Sequence, residues 1–236
     1  MSSAASKVSI VIPVLNDATA LRVCLAALLN SAAEIVVADG GRDAAIAEIC
    51  AAHGATYVAS APGRAMQMNA AAKLARGEWL WFLHADSVPA ADSVAAIAAL
   101  DAGADWGCFC HRLDHAGIAL RIIEYTDNLR ARIGLPYGDQ GIFVRRSVFE
   151  QLGGYENVPI LEDLLLARTL KQRCSPRVLP NVLNSSARRW THDGVIFTTA
   201  TNWRILWKFY IGESSIDDIA AFYRERRAMA VAAKCL

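Results

Sequence analysis

The chain has 236 residues, of which 54% are hydrophobic and 20% are charged. These fractions are typical of a packed globular protein and exclude a disordered chain. The formal net charge is +1, so the chain lacks the overall positive field with which nucleic-acid-binding proteins attract their ligands, and we expect no nucleic-acid partner.

The first hundred residues alternate between short apolar runs and helical patterns. The apolar runs predict strands at 7–15, 34–38, 55–59 and 79–83. Helical patterns follow them at 18–30, 44–52, 62–75 and 89–100. This alternation is typical of βαβ units, in which a parallel sheet carries helices on both faces.

The second half of the chain is less regular. Its apolar runs predict strands at 106–113, 142–145, 178–183 and 187–190. Helical patterns lie at 118–133, 161–172, 196–210 and 216–233. We expect a further short helix that Ser147 caps and Gly153 ends. Since the sequence has no internal repeat, low-complexity tract or linker, we expect a single domain over residues 1–236.

Features that report on the cell compartment favour the cytoplasm. The first six residues are small and polar, and Pro13 interrupts the apolar run after them, so we expect no signal peptide. The six cysteines lie at 24, 50, 108, 110, 174 and 235, and we expect reduced thiols. Cys108, Cys110 and His111 could form part of a metal site, but zinc sites usually have wider cysteine spacing, so buried thiols are favoured.

Polar residues follow three of the predicted parallel strands, namely Asn16 with Asp17, then Asp39, then Asp86. Ligands of open α/β sheets bind beyond the carboxyl ends of the strands, so we expect these side chains on one rim. Asp86 directly follows the apolar run WLWFL and His84-Ala85. A carboxylate there suits a divalent cation that carries phosphates, although Asp86 could instead cap a helix that begins near Pro89.

Several motifs in order resemble one family. They are VSIVIPVLNDATALRVCLAAL, EIVVADGG, GRAMQMNAAAKLARGEWLWFLHAD, YGDQGIFVRRSVFEQLGGY and LEDLLLARTLK. Together they resemble glycosyltransferase family 2 over about residues 7–190. Within it, GRAMQMN and FLHAD are similar to the arsenosugar-biosynthesis or radical-SAM-associated glycosyltransferases.

The resemblance implies an α/β GT-A (Rossmann-like) fold, with a mixed, mainly parallel sheet flanked by helices and with C-terminal helices. Residues about 7–100 would form the half that binds the nucleotide sugar, and residues about 101–236 the acceptor-side half. The implied activity is inverting, metal-dependent transfer of a sugar from a nucleotide-diphosphate sugar, most simply a UDP-sugar, to an unknown acceptor, with Mg²⁺ or Mn²⁺ as cofactor.

The resemblance also implies nucleotide contacts near the first two strands. Asp39 matches the first acid of the family's DDGS motif and would accept a hydrogen bond from the base. Gly40 replaces the second acid and the serine is lost, which leaves the base specificity open. Alternatively, Asp39 is a turn residue. Pro13, Asn16 and Asp17 match the loop that wraps the nucleotide, although Asp17 could simply cap a helix.

Five further side chains would contact the donor. Arg64 opens a helix and suits a diphosphate, and Gln67 and Asn69 would reach the ribose or base; a solvated first helical turn is the alternative. Arg189 would reach the diphosphate, and Trp190 would stack on a sugar, unless this segment is an ordinary edge strand.

The metal and the chemistry are implied by two acidic motifs. Asp86 keeps the last acid of the family's Asp-x-Asp and would bind the metal, while His84 replaces the first acid and would bind the metal or a sugar hydroxyl. His192 would complete the metal shell. Asp163 would be the general base, with Glu162 contacting acceptor or sugar; the alternative is that both acids only complement the helix dipole.

Two other functions remain open. A sugar-phosphate nucleotidyltransferase would need a glycine-rich basic loop after the first strand, where this chain has PVLNDATAL. A non-catalytic module that binds nucleotide sugars would tolerate loss of Asp163, which is present. A dinucleotide-binding dehydrogenase is excluded because no Gly-x-Gly-x-x-Gly follows the first strand.

The acceptor side offers weaker signals. Asp139-Gln140-Gly141 precedes a predicted strand in the region expected near the acceptor. The last two helices carry apolar residues near one face, including Ile196, Trp203, Trp207 and Tyr210. This face could belong to the core, to a homodimer interface or to a helix that lies on a membrane surface.

Overall fold

The computed structural model of the protein describes residues 7–212 and 214–232. In this part of the chain, one sheet contains eight strands: β1 (Val8–Val14), β2 (Glu34–Asp39), β3 (Thr56–Ala59), β4 (Trp79–Phe82), β5 (Ser87–Val88), β6 (Trp106–Leu113), β7 (Phe143–Arg145) and β8 (Arg177–Ser185). The α-helices of the same part are α1 (Ala18–Ala27), α2 (Ala44–Ala52), α3 (Arg64–Ala72), α4 (Ser93–Ala98), α5 (Ile118–Arg132), α6 (Arg146–Gln151), α7 (Glu162–Arg173), α8 (Arg188–Asp193), α9 (Val195–Ile211) and α10 (Ile216–Ala232).

The strand order is β3-β2-β1-β4-β7-β6-β8-β5. The first four strands in this order are parallel, as the βαβ alternation predicts. β7 runs antiparallel to both β4 and β6, and β8 is parallel to β6. The sheet is therefore mixed, with the parallel half built entirely from the first hundred residues.

The two central strands β1 and β4 are apolar on both faces because helices cover both sides of the sheet. Ile10, Ile12 and Trp81 point to the face covered by α1, α2 and α4. Val11 and Phe82, which alternate with them, point to the face covered by α3, α6 and α7. Each aliphatic side chain so buried contributes about 1.5–3 kcal/mol to folding, which anchors the strands that end at the site.

Three local predictions are wrong. Residues 187–190 were expected to form a strand, but α8 begins at Arg188. The helix expected at 89–100 begins only at Ser93, because β5 first pairs with Ser185 and Asn184 of β8. Asp86 is therefore not the cap of that helix. Ser147 lies inside α6, whose N-cap is Arg145.

The described cysteines form no disulfide. Cys24, Cys50 and Cys108 are buried, whereas Cys110 and Cys174 are partly exposed. Burial raises the pKa of the Cys24 thiol to about 12, and the Asp86 carboxylate acts in the same direction. Cys235 and the expected helix end at Ala233 lie outside the described residues. In the described part of the chain, no helix is both long enough and apolar enough to cross a bilayer.

Candidate active site

The carboxyl ends of β1, β2 and β4 meet at one edge of the sheet. Val14 at the end of β1 is in register with Asp39 at the end of β2, and β4 runs parallel on the other side of β1. Arg188 reaches this edge from α8: its Nη2 lies 2.8 Å from Asp17 Oδ2 and 3.8 Å from Asp86 Oδ2. Arg188 lies near Asp86 because Ser87, the residue after Asp86, pairs with Ser185, and α8 begins three residues after Ser185.

A cavity of about 600 Å³ lies beside Asp86. It is bounded on one side by the end of the sheet and the start of α3 and α7, and on the other by the helices of the last quarter of the chain. The predicted site residues that line it are Arg64, His84, Asp86, Asp163, Arg189 and Trp190. The structure thus brings together side chains that are up to 126 residues apart in sequence, as Arg64 and Trp190 are.

Asp163 enters the cavity from the first turn of α7. Leu161, which precedes Glu162 and Asp163, has φ +68°. This left-handed conformation is unusual for a leucine, and such strained residues cluster at functional sites. Gly138 N–H donates to Asp163 Oδ2 at 2.6 Å, and Leu164 N–H donates to Oδ1 at 2.8 Å. The two bonds fix the carboxylate and leave it lone pairs for a substrate proton.

The His84 side chain ends beside Gly138. A Cβ atom at Gly138 would come within 2.9 Å of His84 Nε2 and 3.2 Å of Asp163 Oδ2, so both side chains end beside this glycine. Burial lowers the pKa of the His84 imidazole, and the positive charge of Arg64 lowers it further. His84 is therefore neutral near pH 7 and has a nitrogen lone pair available for a metal ion or a hydroxyl proton.

Glu162 is buried and forms an ion pair with Arg64, with 2.8 Å between Oε1 and Nε. Burial raises the pKa of the Glu162 carboxyl, and the charge of Arg64 opposes that rise. The Arg64 side chain remains partly exposed to the cavity. Arg64 can thus present its remaining N–H groups to an anion while it neutralises Glu162.

Asp39 is completely buried, and its carboxylate accepts hydrogen bonds from the loop that follows it. Gly41 N–H donates to Oδ1 at 2.7 Å, Asp43 N–H donates to Oδ2 at 2.6 Å, and Tyr57 O–H donates to Oδ2 at 3.3 Å. These contacts match the turn alternative, because both carboxylate oxygens already accept hydrogen bonds that hold the Gly40-Gly41 turn.

Gln67 and Asn69 are held by protein partners. The Gln67 amide nitrogen donates to Val14 O at 2.6 Å and to Ala38 O at 2.9 Å, which ties the ends of β1 and β2 together. Asn69 exchanges two hydrogen bonds with the backbone of Tyr155, at 2.8 and 2.9 Å. Neither side chain lines the cavity, and their contacts with ribose or base stay a prediction.

Pro13, Asn16 and Asp17 lie at the end of β1 and in the loop that follows it. Pro13 is buried inside β1. Asn16 has φ +54°, and its Oδ1 would lie 2.5 Å from a Cβ at Gly41, so the loop and the Gly40-Gly41 turn are in contact. Asp17 caps α1 by accepting a hydrogen bond from Ala20 N–H at 3.1 Å. The capping role and the bond to Arg188 use different carboxylate oxygens.

Arg189 and Trp190 lie on α8, not on a strand, and both face the cavity. Arg189 donates to Asn202 Oδ1 and, at 3.5 Å, to the Tyr223 hydroxyl, which ties α8 to α9 and α10. His192 is exposed, pairs with Asp193 at 2.7 Å and does not line the cavity. A role for His192 in a metal shell stays a prediction.

The residues around Asp86 fit a divalent cation that arrives with a diphosphate. Asp86 is 41% exposed at the cavity, and its nearest basic partner is at the long distance of 3.8 Å. In the described residues, no three His, Cys, Asp or Glu side chains are grouped to hold a metal ion. Mg²⁺ and similar ions are bound by one or two carboxylates, with phosphates and water filling the remaining positions. The donor set of Asp86 and His84 suits this mode, not a closed structural site.

A second polar group borders the cavity on the acceptor side. His111 is buried, with Nε2 3.5 Å from Asp127 Oδ2 and Nδ1 3.9 Å from Asp139 Oδ2. Burial alone would lower the pKa of His111, but the carboxylates of Asp139, Asp127 and Glu124 outweigh it and hold the pKa above its ordinary value. Both ring nitrogens and Asp139 Oδ1 are buried without a hydrogen bond.

Sequence reasoning placed Asp139 near the acceptor but missed several cavity residues. They are Asp127, Tyr137, Asn202 and Tyr223. One signal was available for Asp127: it falls on the same side of the predicted helix as Leu120 and Ala131, opposite the apolar residues Ile122 and Tyr125. An acid on the inward face of a helix marks a polar environment.

Comparisons with known proteins agree with this architecture. The mannosyltransferase PcManGT of Pyrobaculum calidifontis, solved with GDP-Man and Mn²⁺, matches with TM-score 0.64 and 15% identity over 99% of this chain and 76% of that one. Staphylococcus aureus TarS with UDP-GlcNAc matches with TM-score 0.58 and 17% identity, over 76% and 58% of the two chains. Glucosyl-3-phosphoglycerate synthase of Mycobacterium tuberculosis with Mn²⁺ and UDP-Glc gives TM-score 0.55 and 18% identity, over 77% and 70%.

No curated protein sequence matches the chain significantly. The fold is the GT-A fold of these structural neighbours, as the resemblance implied. The sequence model of one family, "Glycosyl transferase family 2", matches residues 9–153, which is more than half of the chain. The protein is thus a glycosyltransferase, and the chain belongs to glycosyl transferase family 2.

Proposed function

We propose that the protein transfers a sugar from a UDP-sugar to a hydroxyl group of its acceptor, with inversion at the anomeric carbon and with Asp163 as general base. The observation that carries this proposal is the placement of Asp86, His84, Arg64 and Asp163 around one cavity. This arrangement offers a cation site, positive charge for a diphosphate and a carboxylate base within the same enclosed space.

The donor would lie along the parallel half of the sheet, in the half formed by residues about 7–100. The loop after β1 and the Gly40-Gly41 turn would border the nucleotide. Arg64 and Arg189 would approach the diphosphate from opposite sides of the cavity. Two of the three structural neighbours described above were solved with UDP-sugars and one with GDP-Man, which supports a nucleotide-diphosphate sugar and favours UDP.

Asp86, with His84 beside it, would hold Mg²⁺ or Mn²⁺ against the diphosphate. A bound ion of this kind neutralises the charge that develops on the leaving diphosphate. The neighbours solved with Mn²⁺ support a divalent ion. Arg64 adds a fixed positive charge on the same side, because the buried carboxylate of Glu162 orients its guanidinium group.

Asp163 would accept the proton of the acceptor hydroxyl. As that oxygen bonds to the anomeric carbon, the bond from this carbon to the diphosphate oxygen breaks, so one displacement inverts the centre. The N–H groups of Gly138 and Leu164 keep the carboxylate aimed into the cavity. Positioned bases of this kind typically contribute about 10²–10⁴-fold to the rate.

The acceptor would enter between α5, α8 and α9. Asp127 and Asp139 present carboxylates there, next to the buried imidazole of His111. Carboxylate oxygens have lone pairs to accept hydrogen bonds from hydroxyl groups in addition to their pairs with Arg130 and His111, so a polyhydroxylated acceptor suits this wall. The motifs GRAMQMN and FLHAD additionally support placement in the arsenosugar or radical-SAM-associated subgroup.

The proposal is tested by thermal-shift titration with UDP, GDP and CDP, each with and without Mn²⁺. A ligand at about 100 times its Kd adds about 2.7 kcal/mol to stability. We expect UDP to raise Tm only when Mn²⁺ is present, and Asp86→Ala to abolish the shift. Asp92→Ala is the control, since Asp92 is exposed and makes no capping bond. No shift with any nucleotide, or an equal shift in Asp86→Ala, contradicts the proposal.

A further inference from the structure

One side of α5 is an exposed apolar stripe. Ile118, Ile122, Tyr125 and Leu129 recur at helical spacing, and each is at least 50% exposed. Ile133, just beyond the helix, continues the row. The opposite side of the helix packs on the protein through Leu120 and Ala131. This stripe is too regular to be the scattered surface hydrophobics that most proteins show.

A second stripe of the same kind lies on α9. Ile196, Trp203, Trp207 and Tyr210 are each more than half exposed, while Thr201 and Ile205 on the other side are buried. These four side chains are therefore not part of the core, which was one of the alternatives left open by the sequence. Tryptophan and tyrosine are enriched where a protein meets the interface of a bilayer, because their rings have both apolar and polar parts.

The two helices border the same cavity, which Asp127 of α5 and Asn202 of α9 both line. Near their first turns, Leu120 and Ile123 of α5 and Val195 of α9 belong to one small apolar cluster. The two rows thus run along neighbouring elements, and we refer to the exposed residues of α5 and α9 together as the aromatic face.

The charges on the aromatic face have one sign. Its described, exposed positions include Arg132 and Arg204 but no Asp or Glu. The two acids of α5 lie on its inner side: Glu124 is buried, and Asp127 is turned to the cavity. α9 contains no acid at all. In the groove beside Trp203 and Trp207, α10 adds Arg226 and one acid, Glu225. An apolar surface bordered by three arginines and one acid complements a bilayer that has anionic headgroups.

We propose that the aromatic face binds the surface of an anionic lipid bilayer. The tryptophan and tyrosine rings would enter the interface between headgroups and acyl chains, and Arg132 and Arg204 would pair with lipid phosphates. The inner sides of the same helices line the catalytic cavity through Asp127, Asn202 and Ile205. Bound in this way, the enzyme holds its cavity beside the membrane surface, within reach of acceptors that are anchored there.

The test is co-sedimentation of the full chain with vesicles of phosphatidylcholine alone and with vesicles of equal parts phosphatidylcholine and phosphatidylglycerol. We expect binding to the anionic vesicles at least about 10-fold tighter than to the neutral ones, and weaker binding at high salt. Tryptophan fluorescence should shift to shorter wavelength on binding, because the rings leave water.

Two matched variants decide the contribution of the aromatic face. Trp203→Ser/Trp207→Ser should lose at least about 10-fold in affinity for anionic vesicles. The control is Val23→Ser/Leu74→Ser, which removes two exposed apolar side chains elsewhere on the protein and should bind like wild type. Circular dichroism checks that both variants are folded.

Absence of vesicle binding overturns the proposal, as does equal binding by the two double variants. The competing occupant of this face is a second copy of the chain. Light scattering measures this directly: a dimer that Trp203→Ser/Trp207→Ser dissociates, and that persists when vesicles are added, also overturns the proposal. Because the vesicle assay uses no nucleotide, its result is independent of the proposed transferase reaction.

Discussion

Arg64 Nε and Glu162 Oε1 lie 2.8 Å apart, with the glutamate side chain 2% exposed and the arginine side chain 47% exposed. This ion pair joins the first turns of α3 and α7 and stands next to Asp163, the proposed base. Loss of the arginine leaves a buried carboxylate without its cation, whereas loss of the glutamate leaves a cation that water can solvate.

We therefore expect Arg64→Gln to destabilise the fold by about 2 kcal/mol at pH 8. The effect should depend on pH. Burial raises the pKa of Glu162 in the folded state, and Arg64 opposes the rise, so the variant has a still higher folded pKa. A carboxyl with a raised folded pKa stabilises the fold below its unfolded pKa, about 4.3, and this contribution is lost as the pH rises through the folded value.

The measurement is urea unfolding of wild type and variant between acidic and mildly basic pH. The stability difference should be small near pH 4 and should grow towards pH 8. The double variant Arg64→Gln/Glu162→Gln should recover most of the loss, since it removes the buried charge as well. A difference that does not change with pH contradicts the buried-carboxylate explanation.

Gly138 is expected to matter for activity more than for stability. A Cβ at this position meets only the tips of His84 and Asp163, which can move at little cost in folding energy. Displacement of a reacting group by about 1 Å can reduce a rate by about 10²-fold. Gly138→Ala should thus lower kcat at least about 10-fold and change Tm by no more than a few degrees.

Gly103→Ala is the matched control for Gly138→Ala, since the nearest atom to its added Cβ is a carboxylate oxygen of Asp101, far from the cavity. Nucleotide release from the UDP-sugar and a thermal melt give the two readouts. Parallel losses of activity and stability in Gly138→Ala would show that the substitution acts on the fold instead.

Asp163→Asn separates chemistry from donor binding. Since the proposed role of the carboxylate is to accept a proton, we expect kcat to fall by about 10²–10⁴-fold, while the affinity for UDP in the presence of Mn²⁺ stays within about 3-fold of wild type. Titration calorimetry measures the affinity, and steady-state release of UDP measures kcat. Unchanged turnover would remove Asp163 from the reaction, and a wild type without turnover would favour a binding module.

Gln67 ties the ends of β1 and β2 together through its side-chain amide. Replacement by leucine removes the two buried hydrogen bonds from Gln67 Nε2 to Val14 O and Ala38 O, while Val14 O keeps a bond from Gly40 N–H that the loop supplies. We expect Gln67→Leu to cost about 2–3 kcal/mol in urea unfolding. Met66→Ala, one residue earlier on α3 and partly exposed, should stay within about 0.5 kcal/mol of wild type. Equal stability of the two variants would contradict the bridging role.

The contrast between Gln67 and Asp86 shows where sequence reasoning succeeds. Strand positions such as those of β6, and the rim position of Asp86, follow from patterns within a few residues, so both were predicted. The partners of Gln67 lie 53 and 29 residues away, and no local pattern identifies them. The resemblance placed Gln67 at the ligand, whereas packing of α3 against the strand ends uses its amide internally.

The same reasoning explains the error at 187–190. Residues 187–190, Ala-Arg-Arg-Trp, are too few to distinguish a strand from a helix, and β8 already ends at Ser185, where its pairing with β5 stops. The chain then turns into α8, where Ala187 packs against Leu113 and Leu120. The position at which β8 ends is thus set by its pairing with β5, which lies about a hundred residues earlier in the chain. The cavity residues Asn202 and Tyr223 were missed for a related reason, since only the packing of α9 and α10 determines which helix side faces inward.

Arg188 gives Asp86 a positive neighbour before any ligand arrives, and it ties that carboxylate to Asp17 at the start of α1. A cation that binds at Asp86, as proposed, would displace Arg188 from this carboxylate, so its binding free energy would be the difference between the attractions of the cation and of Arg188 to Asp86. Free metal alone should therefore bind weakly, and metal with diphosphate should bind cooperatively, because the released guanidinium gains a phosphate partner. Binding of the donor would thereby change the contacts of Arg188, which joins the start of α8 to Asp17 and Asp86.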